Sequence, residues 1–149
     1  MLWLKGVGAV SLLITGSLVG LRLSKKLELR RKTLNRFYVF IKELSSGIKT
    51  GEEIDSILES SLSKNLVYKD GFKIKPQPNG LKGEDIKLLT EFFSLLGMGD
   101  SQSQITRCET YGELVKKRLQ NAEQEVKEKA KLYSTLGFFS GLVVVILII

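Results

Sequence analysis

No charged residue follows Lys131 in this chain, and that limits what residues 101–149 can become. The stretch begins polar and ends in about 18 uncharged, mostly apolar residues, close to the minimum that crosses a bilayer of about 30 Å. Read as one helix it would be about 70 Å long, at 1.5 Å per residue. The pattern predicts a helix that starts in water and crosses a membrane over 132–149.

The polar half has a seam. Ile105, Cys108, Gly112, Val115, Leu119, Ala122, Val126 and Tyr133 recur at alternating steps of three and four, with Lys129 standing in the expected eighth position. Such spacing marks a helix packed on other helices. Gly112 and Ala122 are small enough to let a neighbour come close. The other faces carry mixed charge, the pattern of a solvated surface. Glu123/Lys127 and Glu125/Lys129 are i,i+4 pairs in the favourable order.

The other apolar end, 2–21, holds one charge, Lys5, and is followed by a basic run: Arg22, Lys25, Lys26, Arg30, Arg31 and Lys32. Basic residues after rather than before the apolar run predict that the following segment stays in the cytoplasm. Lys127, Lys129 and Lys131 precede the second apolar end in the same sense. The expected organisation is transmembrane helix 2–21, a cytoplasmic helical bundle 22–131 and transmembrane helix 132–149. A cleaved leader is the rival reading of the first segment. Gly16 and Gly20, four apart, and Gly137 and Gly141, four apart, would let the two membrane helices pack closely.

Within the central segment the first helix is expected to reach about Ser45, with Leu34, Phe37, Tyr38, Ile41 and Leu44 as its buried stripe. Thr50 and Glu53 have capping-box spacing. Ile54, Ile57, Leu58 and Leu62 give the next helix one apolar face. Residues 66–80 carry turn signals at Asp70, Gly71, Pro76, Pro78 and Gly80. Tyr68, Phe72 and Ile74 suggest a brief extended piece but no sheet, so the fold class is all-α. Helix resumes near Lys82 or Gly83, with Glu84 and Asp85 in its first turn, where the helix dipole favours acids. It buries Ile86, Leu89, Phe92, Phe93 and Leu96. Gly97 or Gly99 ends it, and Asp100 or Ser101 caps the last helix.

Several functions are disfavoured. The chain has no His and one Cys, so it offers no disulfide of its own and no Cys/His metal set. Its glycines lack the Lys that a phosphate loop requires. Acid pairs such as Glu84/Asp85 are explained by helix starts. No enzyme activity, cofactor or metal is expected. The net charge of +7 is concentrated in the basic run 22–32, which suits anionic lipid rather than nucleic acid.

Glu84-Asp85, Leu88-Leu89, Glu91-Phe92, Leu96-Gly97, Asp100 and Gln104 are followed by Leu114, Ala122-Glu123, Lys131-Leu132-Tyr133, Leu136-Gly137 and Gly141-Leu142. Together these resemble the stage III sporulation protein AB family of endospore-forming bacteria. Phe93 departs from it, because the family often has Gly there, and 66–80 matches nothing in particular. The resemblance implies a bundle similar to the cytoplasmic domain of type II secretion and type IV pilus platform proteins. It also implies a multi-pass protein of the mother-cell (outer forespore) membrane. Its partners would be a secretion-type ATPase, stage III sporulation protein AA, and other membrane components of the same channel complex. Glu84, Asp85, Asp100 and Gln104 are then the candidate partner contacts, expected to be exposed near helix starts. The competing expectation is a passive scaffold that gathers channel subunits and never touches an ATPase.

Overall fold

A computed structural model describes the backbone of residues 2–148 and the side chains at 22, 24–129, 131, 132, 135, 136, 139 and 143. Six elements follow one another: α1 (Leu2–Thr50), α2 (Ile54–Ser63), β1 (Val67–Asp70), β2 (Lys73–Pro76), α3 (Gly83–Leu95) and α4 (Ser101–Ile148). The expected crossings 2–21 and 132–149 are helical in backbone, but nearly all their side chains lie outside the described residues. So does the expected packing of Gly16 and Gly20 on Gly137 and Gly141. Among the described residues no helix is long and apolar enough to cross a membrane.

The two long helices form the frame. Lys49 Nζ donates to Glu109 Oε1 at 3.0 Å, and Arg30 Nη1 stands 3.3 Å from Glu125 Oε2. As α1 advances its partners on α4 recede, so the pair is antiparallel. The predicted stripes meet at this contact. Leu34, Phe37, Ile41 and Leu44 on α1 are buried, as are Cys108, Val115, Leu119 and Ala122 on α4. Each such aliphatic or aromatic side chain contributes about 1.5–3 kcal/mol by leaving water. Gly112 is buried too, but a methyl group there would stand 3.5 Å from Ile41 Cγ2, an ordinary contact. The close approach expected at that glycine is therefore modest.

α3 completes the core. Phe93 packs against Phe37, Phe40 and Phe92 with ring centroids 6.3, 6.1 and 5.3 Å away, and Phe92 meets Tyr111 of α4 at 5.4 Å. Edge-on and offset rings at these separations add to the stabilisation from burial. Phe93 is thus the centre of an aromatic cluster joining α1, α3 and α4.

Three local expectations are corrected. α1 runs past Ser45 to Thr50 and ends at Gly51, whose φ of +81° is the left-handed conformation of a helix-terminating glycine. Thr50 consequently lies in the last turn, and its hydroxyl bonds back to Gly47 O at 3.0 Å instead of capping α2. The N-cap of α2 is Glu53, without a side-chain cap bond. On α4, Glu125 takes Lys82 and Arg30 as partners rather than serving mainly as a local pair for Lys129.

The all-α expectation fails at residues 66–80. β1 and β2 pair antiparallel, with Val67 opposite Pro76 and Asp70 opposite Lys73. Gly71 (φ +63°) and Phe72 form the two-residue loop, and glycine at the first loop position suits the twist of a tight hairpin. The turn splits what reads as one weak extended run into two short strands that satisfy each other's backbone. The ladder continues where Gln77 N donates to Leu66 O at 2.9 Å.

Candidate functional site

The domain has two unlike ends. At the Arg30 end, the start of α3 is fastened between the long helices. Thr33 Oγ1 of α1 donates to Asn79 O at 2.9 Å. Gly80 (φ +74°) lies so close to α1 that a Cβ would come within 3.0 Å of Arg30 N. This brings Asp85, at the third position of α3, against Arg30. The guanidinium donates twice to the carboxylate, Nε to Oδ2 at 2.7 Å and Nη2 to Oδ1 at 3.1 Å. Lys82 N also donates to Asp85 Oδ2, at 3.0 Å, half of a capping box. Arg118 Nη1 stands 3.7 Å from Asp85 Oδ1, and Glu125 bridges Arg30 to Lys82 Nζ.

Asp85 is wholly buried and Arg30 nearly so. Burial pushes the Asp85 carboxyl up, but the Arg30 guanidinium, the Lys82 amide and Arg118 outweigh it and hold the group below the usual carboxylate range. Arg30 is stabilised in its charged form by Asp85 first, then by Glu125. Its Nη1 is buried without a hydrogen bond and is met only by the Glu125 ion pair. The cluster joins α1, α3 and α4, and its polar groups face one another.

At the opposite, turn end, the hairpin tip leans towards the start of α2 and the end of α3. A groove of about 860 Å³ lies between them. Its floor is apolar: Ile54, Leu58, Ile74, Phe93 and Leu96. Glu53 and Asp55 stand on one side, Lys73 and Lys75 on the other. Phe72 lines it and is fully exposed, and nearby Met98 is more than half exposed.

The four candidate contacts divide between these surroundings. Glu84 is exposed and accepts from Arg118 Nη1 at 2.6 Å. Asp100 is exposed and caps α4, its Oδ1 accepting from Ser103 N at 3.2 Å. The expected exposure fails for the other two. Asp85 is consumed by the Arg30 pair. Gln104 is buried because its amide closes the α3–α4 turn, accepting from Gly97 N at 3.3 Å and donating to Met98 O. Arg107 Nη1 adds a bond to Leu95 O at 2.9 Å and satisfies the end of α3. Glu84 and Asp100 are separated by α3, whose 13 residues span about 20 Å, so the structure does not bring them into one patch.

Two residues escaped the sequence reading. Arg30 reads as one more charge in a basic run, and only the fold sets it against Asp85. Phe72 reads as part of a short apolar alternation. Its position directly after Gly71, inside a tight turn, was the available sign that it points outward. Cys108 is buried as expected, and desolvation pushes its thiol up to about 11, so it is inert at neutral pH.

A family model for stage III sporulation protein AB matches residues 65–149, which include the hairpin, α3 and all of α4. No curated protein and no solved structure gives a significant match. The matched span takes up more than half of the chain and contains both the Asp85 anchor and the seam of α4. The chain therefore belongs to the stage III sporulation protein AB family, and that membership implies a role in the stage III sporulation channel complex.

Proposed function

We propose that the chain is a non-enzymatic membrane platform of that complex. Residues 22–131 form its cytoplasmic domain, between crossings at 2–21 and 132–149 in the mother-cell (outer forespore) membrane, and that domain docks a secretion-type ATPase. The observation that carries this reading is the antiparallel frame. Two unbroken helices leave the same end of one small domain, and each continues into a stretch almost free of charge. The basic residues 22–32 at that end suit the anionic face of a bilayer. The ATPase, stage III sporulation protein AA, and the other membrane components enter through the family resemblance.

Docking is assigned to exposed acids, Glu84 at the Arg30 end or Asp100 at the turn end. The burial of Asp85 and Gln104 favours a second reading: a scaffold that gathers channel subunits through its membrane helices alone. Co-purification of the ATPase with the full chain in detergent separates the two. Reversing Glu84→Lys or Asp100→Lys is expected to lose the ATPase from whichever end docks it. Retained capture by both folded variants would show that neither acid is the docking surface, and a wild-type chain that captures no ATPase would favour the scaffold reading. Topology has its own readout. A cysteine introduced at exposed Lys69 should resist an impermeant thiol reagent in intact cells and react after lysis, while native Cys108 stays silent. Labelling before lysis contradicts a cytoplasmic domain.

A further inference from the structure

We propose that the hairpin end is a self-association surface, on which a second copy of this chain exchanges Phe72 for Phe72. The knob and its hole lie side by side. Phe72 projects fully into solvent from the wall of a groove floored by Ile54, Leu58, Ile74, Phe93 and Leu96. A surface that carries both parts can pair about a two-fold axis, each copy inserting its ring into the other's groove.

The charges choose the occupant. Glu53 and Asp55 stand on the α2 side of the groove and form no ion pair among the described residues; Lys73 stands on the hairpin side, opposite Asp70 in the strand register but without a close ion pair, because Asp70 is taken up by Lys75. A two-fold rotation about the groove brings the basic hairpin of one copy over the acidic start of α2 in the other, twice. An acidic partner would meet Glu53 and Asp55, and a basic partner would meet Lys73, whereas a second copy satisfies both. Charge complementarity of this kind sets partner choice and register more than affinity. Two buried phenylalanines supply about 300–500 Å² of contact. That is roughly a quarter of a standard interface, so the rest comes from the groove walls and Met98. The pairing does not rest on the ATPase reading, since it uses neither Glu84 nor Asp100, although Asp100 lies at the same end and an ATPase docked there would compete with it.

The test uses the full chain in detergent micelles, with mass measured by light scattering and sedimentation, and helicity as the folding check. The wild type is expected to be dimeric, and Phe72→Ser, which removes one central aromatic anchor from each copy, should weaken association about 30-fold per ring and so about 1000-fold in all. Lys73→Glu alone and Glu53→Lys alone should each be monomeric. Mixing these two chains under different tags should restore a heterodimer, because both cross-pairs are then opposite in sign. A merely structural role for these residues would not produce that recovery. A monomeric wild type, or a dimer unchanged by Phe72→Ser, overturns the proposal. So does a Phe72→Ser chain that keeps its oligomeric state but loses the ATPase, which would give this face to the partner.

Discussion

The Arg30 end and the turn end of the domain treat polar and apolar groups in opposite ways. At the Arg30 end, Arg30 and Asp85 are removed from water and matched to each other, with Glu125, Lys82 and Arg118 around them. At the turn end an aromatic ring stands in water over an apolar groove, and Glu53 and Asp55 beside it form no ion pair among the described residues. Charge is buried where the helices must hold one register, and apolar surface is left open where nothing inside the domain covers it. The first end is built to keep its internal geometry; the second is available for contact.

Mutation should expose this asymmetry, most strongly at the fastened end. Arg30→Met leaves Asp85 buried without its main counter-charge and should destabilise the domain by about 3–5 kcal/mol, read by chemical denaturation. Recovery in Arg30→Met/Asp85→Leu would show that the unpaired carboxylate, not lost packing, causes the damage. The same pair sets an acid limit. Asp85 has a lowered pKa in the folded state, so its contribution is complete above the unfolded value near about 4. It is lost as pH falls through the folded pKa. A stability–pH curve for Asp85→Asn should therefore be flatter below about pH 4 than that of the wild type.

Gly80→Ala is next. It places a Cβ against the α1 backbone at a positive φ, a conformation that costs about 1–3 kcal/mol for most residues. A thermal midpoint equal to that of the wild type would mean the strap is looser than drawn. Asp100→Ala removes the cap of α4 and should cost about 1 kcal/mol, with amide exchange speeding up first around Ser103. Phe72→Ser, at the open end, should change monomer stability by no more than about 0.5 kcal/mol. A larger loss would show the ring to be part of the fold and erase the contrast between the ends.

Much of the frame was legible in the residues. The three-and-four steps from Cys108 to Ala122 and from Leu34 to Leu44 report burial because a helix repeats every 3.6 residues, and both stripes are buried except for Tyr38, at the stripe's margin, which is half-buried. Phe40 was missed because it widens the stripe beyond the simplest pattern. The hairpin was missed because four-residue strands carry little periodic signal, and their pairing depends on a turn more than on alternation. Arg30 and Asp85 could not be matched by inspection: they are 55 positions apart, and nothing local distinguishes a buried arginine from its solvated neighbours. Gln104 and Asp85 read as exposed for a related reason. Polar residues near helix starts are usually wet, and only the turn closed by Gln104 and the pair closed by Arg30 show otherwise.

Both prolines, Pro76 and Pro78, fall outside the helices, and neither α1 nor α4 contains a residue that would force a break. The two helices are joined along the whole seam between Arg30 and Lys49, by the buried stripe and by the Lys49–Glu109 pair at its far end. A displacement applied at the turn end would therefore be carried along both as one stiff beam, tilting them together instead of spreading them.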